Sequence, residues 1–402
     1  MKRTGPQKGG GVGPQARPEG RGDSPLGKPT NLPSPTRDEN LKVRRLLRWA
    51  MQDLARDLLG RELVKKRSGK MKPHRVVACL RVRLPGKLRE VWKSFKSKRA
   101  HYKNLVLCGD VWACPVCAAK VAERRRAELV QAFLSADGLG LTPIFITFTL
   151  RHKKDDTLPG TLKALLRAYS RLKSGKAWAG FCERFGLVGD VRALETTWRK
   201  LNGWHPHIHA VFFARSTDIA KMRTWLRDHW VKRVGSTGKS AIGAVGVVVE
   251  VGHEAISNYL NKHGSGWGLE DELARGVSKV ARGKKGFSPF ALLREFGSGK
   301  EWAGALFIEY TKAFKGKSQL RFSRKLRGLL QIGPELTDAE VASLPETESV
   351  YLASILDKEW ALIERFRARG NLLEIATASG VDGIKVFLDV LRARAENGER
   401  GE

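Results

Sequence analysis

The chain has 402 residues, 42% of them hydrophobic, and a formal net charge of +33, which allows two or three domains with sizeable cores. A surplus of that size far exceeds what solubility requires and points to a polyanionic partner, nucleic acid first. No apolar run spans a bilayer, no signal-type apolar core is found near the start, and no amphipathic helix carries aromatic anchors, so no membrane partner and a cytoplasmic location are expected.

The charge is uneven. From Gln331 onward there are 14 acidic and 8 basic residues, so residues 1–330 carry +39 and should hold the anion-binding surface.

Residues 1–40 contain 8 Gly and 7 Pro with almost no large apolar residue, a composition that cannot repay ordering, so a disordered tail is expected. A basic helix is expected over 41–67, "LKVRRLLRWAMQDLARDLLGRELVKKR", and a strand over 75–84, "RVVACLRVRL". Three of the five cysteines follow within ten residues: Cys108, then Cys114 and Cys117 in "CPVC". That spacing suits a structural zinc site better than a disulfide framework. Cys79 is the preferred fourth ligand, with His101 and His74 as rivals. A redox pair is the alternative, but it would normally open a helix in a thioredoxin-like unit. Cys182 lies in a helical pattern and is expected in the core.

The middle of the chain reads β-α-β-β-α-β-α. "PIFITFTL" (143–150) is a strand rich in β-branched and aromatic residues. A helical stretch over 162–185 follows, then strands at 190–198 and 205–214, a helix at 216–234 opened by Ser-Thr-Asp, a strand at 243–252 and a short helix at 253–263. The first six elements form the split βαβ arrangement, an α+β fold in which four antiparallel strands carry both helices on one face. The other face is expected to be open.

Side chains alternate along a strand, so His205, His207, His209 and Val211 share one face while Pro206, Ile208, Ala210 and Phe212 share the apolar one. Neighbouring histidines lie about 7 Å apart along the strand, a span one metal ion bridges, whereas all three cover about 13 Å. One adjacent pair should therefore ligate. A hairpin through "RKLNGW" places Glu195 beside Ile208 or His209, within reach of the same site. Two histidines and a carboxylate suit Mg, Mn or Zn.

Tyr259 lies in "SNYLNKHGSG", and Lys262 falls three residues later on the same helical face. A phenol attacks phosphorus when a cation stabilises the phenolate and a metal polarises the phosphate.

Together, "FITFTL" (145–150), "ALETTWRKLNGWHPHIHAVFF" (193–213) and "AISNYLNKH" (255–263) resemble the ordered motifs of HUH endonucleases, specifically single-tyrosine initiators of plasmid rolling-circle replication. "CGDVWACPVCAAKVAERRR" (108–126) is similar to the cysteine motif of many such Rep proteins. The resemblance covers roughly residues 75–325. It implies an HUH nickase domain with a ferredoxin/RRM-like sheet, in which His207 and His209 hold a divalent ion, Mg or Mn, and Tyr259 becomes covalently joined to a 5′ phosphate, freeing a 3′ hydroxyl. His205 is then a supporting or alternative ligand. Glu254 is the candidate base for a terminating hydrolysis. Plasmid origin DNA, double- and single-stranded, is the implied partner, with a host helicase and replication machinery behind it.

The expected organisation is a 1–40 tail, a 41–130 basic helix with a zinc-type module, a 140–330 nickase domain with a basic extension, and a 331–402 acidic helical region, free for host-protein recruitment or oligomerisation. In the basic extension, residues 282–327 mix Lys and Arg with Phe and Trp, the interleaving expected where a backbone is neutralised and bases stack. Tyr310, in "FIEYTK", is expected to pack or touch DNA rather than attack it. The alternatives are a relaxase or transposase of the same chemical class and, from another class, a non-catalytic zinc DNA-binding repressor.

Overall fold

The computed structural model describes residues 37–65, 68–215, 218–240, 246–251, 286–345 and 348–401. The Gly/Pro-rich start of the chain, the expected helix over 253–263 and with it Glu254, Tyr259 and Lys262 lie outside the described residues.

The central sheet is built from β5 (Thr142–Phe148), β6 (Leu187–Arg199), β7 (Gly203–Ala214), β8 (Val247–Val251) and β9 (Leu320–Phe322), all antiparallel, in the order β8-β5-β7-β6-β9. Its first four strands have the arrangement expected of a split βαβ unit, and β9 adds a fifth at the β6 edge. Between β5 and β6 the chain forms two helices, α3 (Leu158–Leu172) and α4 (Gly175–Phe185), where one was expected. Gly175 takes φ +79 between them, a left-handed backbone that no regular helix continues through. The Thr157 hydroxyl caps α3 by accepting from the Gly160 amide, and Asp218 caps α5 (Ile219–Gly235) by accepting from Lys221 N.

One face of the sheet is apolar throughout. Ile144, Ile146, Phe148, Ile208 and Phe212 are buried against Leu165, Phe181, Leu226 and Trp230 of α3, α4 and α5. Each fully buried side chain of this kind contributes roughly 1.5–3 kcal/mol.

The other face is not open along its whole length, as the strand pattern had suggested. Helix α2 (Pro115–Gly138) lays Leu129, Ala132 and Ala136 over Phe145, Val191, Ala193, Val211 and Phe213, and β9 adds Leu320 and Phe322. Apolar residues share this face with the histidines from Val211 onward, so they require a cover; only the histidine end stays half-buried.

Outside the sheet, helix α1 (Arg37–Gly60) ends earlier than expected, and β1 (Leu63–Lys65) pairs with β2 (Met71–Pro73). The expected strand over 75–84 is a 3-10 turn at Arg75–Ala78, after which only Arg83 makes an isolated antiparallel bridge, to Leu105; the neighbouring hairpin is β3 (Arg89–Ser94) with β4 (Ala100–Lys103). Two helices, α6 (Pro289–Gly297) and α7 (Glu301–Phe314), form a hairpin, followed after β9 by the short α8 (Leu326–Leu329) and α9 (Asp338–Ser343). In that hairpin Phe290, Phe307, Tyr310 and Phe314 are buried, so these rings serve the core and not base stacking, whereas Trp302 is 43% exposed.

The acidic C-terminal region contains a strand that the helical pattern hid. β10 (Ser349–Ile355) pairs antiparallel with β3, giving the sheet order β10-β3-β4, and is followed by α10 (Asp357–Arg365) and by α11 (Arg369–Glu396), which is broken by a kink at Gly380. Arg369, 1% exposed, forms a buried ion pair with Asp53 of α1 and donates to the carbonyls of Cys79 and Leu80. The C-terminal region is thus packed into the same body as the cysteine segment. Among the described residues no helix is long and apolar enough to cross a membrane.

Candidate metal centre and cysteine cluster

The β6–β7 hairpin turns through Lys200, Leu201 and Asn202, with Trp198 opposite Trp204 and Arg199 opposite Gly203. Gly203 is required here: its φ is +70 and a Cβ would lie 2.7 Å from the Lys154 carbonyl oxygen. The turn fixes the register so that Glu195 stands directly opposite His207, with Ala193 opposite His209. This corrects the expected pairing with Ile208 or His209. Directly opposed residues share a face, so an Ile208 partner would have aimed the carboxylate into the apolar layer.

Glu195, His207 and His209 converge. Their ligand atoms lie within 4.8 Å of one another, and the group can hold a metal ion. Glu195 Oε2 is 3.1 Å from His207 Nε2 and 3.2 Å from His209 Nε2. The opposite ring nitrogens are also engaged: His207 Nδ1 lies 3.2 Å from the His205 carbonyl oxygen and His209 Nδ1 2.9 Å from Thr147 Oγ1. A carbonyl only accepts, so His207 carries a hydrogen on Nδ1, which leaves Nε2 as the atom that would coordinate an ion beside the carboxylate; the Thr147 hydroxyl allows His209 the same arrangement. This is the outer support that metal-binding imidazoles need. Burial alone would raise the Glu195 carboxyl, but the His209 and His207 imidazoles beside it outweigh burial and hold it well below the usual carboxylate range. The donor set therefore fits a divalent ion chemically.

His205 is set apart from this group. Its Nδ1 is 2.8 Å from His152 Nε2, and His152 Nδ1 in turn faces the Asn202 carbonyl oxygen at 2.9 Å. Burial first, and then the neighbouring His207, His152 and Arg199, lower its pKa to about 4. His205 thus supports His207 through its backbone carbonyl, while its ring binds a residue that strand periodicity gave no reason to single out. Thr147 was also missed. Its position opposite His209 across β5 and β7 follows only from the register.

Thr147→Val keeps the shape and removes the hydroxyl on His209. Loss of such an outer partner typically costs 10–100-fold in metal affinity, so Mn²⁺ titration of the variant should show weakening of about that size with an unchanged fold.

The second cluster is Cys79, Cys108, Cys114 and Cys117, all buried, with sulfurs within 4.8 Å and no disulfide among them. Sγ–Sγ distances are 3.5 Å for Cys79–Cys117, 3.6 Å for Cys108–Cys117 and 3.8 Å for Cys79–Cys114. Cys79 thus completes the set. His74 instead accepts from Val76 N and faces Asp110, and Cys182 is half-buried in α4. As a redox pair would, "CPVC" opens a helix, with Cys114 as the N-cap of α2 and Pro115 in its first turn. What disfavours the pair is the presence of two further cysteines in the same dry pocket. Hydrogen bonds to Cys114, then to Cys117 and Cys79, push the Cys108 thiol well above its usual range. Burial alone would raise the Cys114 thiol, but hydrogen bonds with Cys108, Cys117 and Cys79 and with the Cys117 amide outweigh it and hold it well below its usual range. Four sulfurs gathered around one stabilised thiolate make a group that can hold a metal ion, and an all-thiolate set suits zinc.

Tyr310 is 4% exposed among Trp112, Trp204, Phe307 and Phe314, and burial pushes its phenol well above its usual range. It packs and does not attack.

Residues 103–233 match the family described as replication protein. The chain is similar to Protein rep of Streptomyces lividans, with 29% identity over 304 residues, covering 59% of this chain and 66% of that one. It is also similar to a neomycin resistance protein of Streptomyces cyanogenus, with 35% identity over 132 residues, covering 27% of this chain and 30% of the other. The chain therefore spans just under two thirds of the first relative and under one third of the second. No solved structure matches. The matched segment contains Cys108, Cys114, Cys117, Thr147, His152, Glu195 and the three strand histidines, and it ends before Tyr259.

Proposed function

From a chain whose central third matches the replication-protein family, we propose a rolling-circle plasmid replication initiator that nicks origin DNA through an HUH-type site. The family match and the similarity to Protein rep support the initiator role. The observation that carries the chemistry is the pair of imidazole Nε2 atoms on one Glu195 oxygen, with both Nδ1 atoms engaged behind them.

In this reading Glu195, His207 and His209 hold a divalent ion, Mg or Mn, which when bound polarises the scissile phosphate and offsets its charge. Tyr259 Oη forms the new bond to phosphorus as the bond to the 3′ oxygen breaks. The phenolic proton is lost, and the departing oxygen takes one up to become the 3′ hydroxyl primer. Lys262 offsets the phenolate charge. Rejoining is the reverse attack by a 3′ hydroxyl on the phosphotyrosine. Glu254 is assigned to activating water for termination. The four cysteines hold structural zinc. The partners are origin DNA and, downstream, a host helicase and replication machinery.

Supercoiled origin DNA with Mg²⁺ or Mn²⁺ tests the proposal. Wild type should yield nicked circles and a covalent protein–DNA adduct, and Tyr259→Phe should yield neither. An adduct formed by Tyr259→Phe would transfer the nucleophile role elsewhere. Failure of wild type to cut with any divalent ion would favour a non-catalytic DNA-binding repressor. Replication of a plasmid carrying the nicked origin separates an initiator from a relaxase or transposase.

A further inference from the structure

A second feature lies on the other face of β6. Glu195 and Arg192 are three residues apart on that strand and therefore project to opposite faces, about 10 Å apart along it. Arg192 stands directly opposite Arg321 of β9. β9 lies at the edge of the sheet, and between it and α3 there is a cavity of about 880 Å³ bordered by Tyr169, Ser170, Lys173, Asp190, Lys317 and Arg324 as well as the two arginines.

The charge in this cavity is unbalanced. Asp190, the only acid among the described residues that border it, is already satisfied: it is ion-paired with Lys173 and accepts from Tyr169 Oη at 2.7 Å. That leaves Arg192, Arg321, Lys317 and Arg324, none of which has a salt bridge among the described residues. Like charges directly opposed across a strand pair are destabilising. Burial, and Arg321 opposite, lower the Arg192 pKa, opposed by Tyr169. Two arginines at directly opposed positions of β6 and β9, Arg192 half-buried and Arg321 exposed, border one groove, an arrangement an anion would stabilise.

We propose that this groove binds the phosphodiester backbone of DNA outside the cleavage site, guiding the strand around the β6–β9 edge from the histidine face to the helix face. The proposal rests on the initiator reading for the identity of its polyanion. Two arguments favour a backbone over a small phosphate ester. Four unpaired cations exceed what one phosphate needs, and the aromatic rings nearby are unavailable for stacking a base: Tyr169 is buried and bound to Asp190, and Phe322 packs on the opposite face. Contacts of this type position DNA without reading its sequence.

The test is the salt dependence of binding by the full chain, comparing wild type with Arg192→Gln/Arg321→Gln on origin duplex and on unrelated duplex. Each lost phosphate contact lowers the slope of log K against log salt by about 0.9, so the double variant should lose nearly 2 from the slope and weaken equally on both sequences. Nicking of a short single-stranded oligonucleotide that covers only the cleavage site should be unchanged, which separates this groove from the nicking proposal. Thermal melting should be unchanged or raised, because a like-charge pair is removed. An unaltered slope overturns the proposal. So does a variant that keeps its slope but no longer binds inorganic phosphate or a nucleoside triphosphate, since the groove would then hold a small anion.

Discussion

His207→Ala is expected to slow metal-dependent nicking severely while leaving the protein folded. In the proposed set the imidazole is one of three ligands, and removing even an outer partner costs 10–100-fold in affinity, so Mn²⁺ binding should weaken by more than about 100-fold. Metal polarisation of a phosphoryl oxygen is worth several kcal/mol, and about 1.4 kcal/mol is a factor of ten in rate. The single-strand cutting rate should accordingly fall about 10³-fold. His205→Ala is the internal control, because its contribution to His207 comes from the backbone carbonyl and its ring faces His152. That variant should bind Mn²⁺ within about threefold of wild type, well short of losing an outer partner. Equal losses in the two variants would show that the ligand set is drawn wrongly.

The second large effect concerns the cysteines. A zinc-type site is folding energy, since the ligand set does not exist in the unfolded chain. Cys79→Ser leaves three thiols and should release the ion, read as zinc per chain by elemental analysis. Losses above about 4 kcal/mol belong to lost metals and broken buried networks. At about 2–4 °C per kcal/mol for domains of this size, the melting temperature should drop by roughly 10 °C or more. Cys182→Ser, in half-buried α4, should retain both zinc and stability. Full zinc content and an unshifted melting curve in Cys79→Ser would exclude Cys79 as a ligand.

The centre of the fold was legible because period-2 alternation is strong in β5, β6 and β7, and one apolar face specifies each of them. The histidine pair and Glu195 follow from that alternation. The partners that lock them do not: Thr147 sits on a strand distant in sequence, and His152 lies in a loop without periodicity. The β6–β7 register depends on a three-residue turn that Gly203 allows, and a shift of one or two positions there moves Glu195 from His207 to Ile208 or His209. Two kinds of strand were invisible. β9 is three residues long, and β10 alternates weakly because it lies half-exposed at the edge of its own sheet. Cover over the histidine face was missed for a different reason: α2 is a helix with small buried residues such as Ala118, Ala122 and Ala132, which carry little amphipathic signal.

The Asp53–Arg369 pair joins residues 316 positions apart. A ribosome adding about 5–20 residues per second needs roughly 15–60 s to pass from one to the other. During that interval the cysteine segment exists without β10, the strand that covers one side of β3, and without the guanidinium that holds the Cys79 and Leu80 carbonyls. Birth order therefore imposes a delay: the central sheet can close while the nascent chain is still growing, but the segment around Asp53 must wait for the one that carries Arg369.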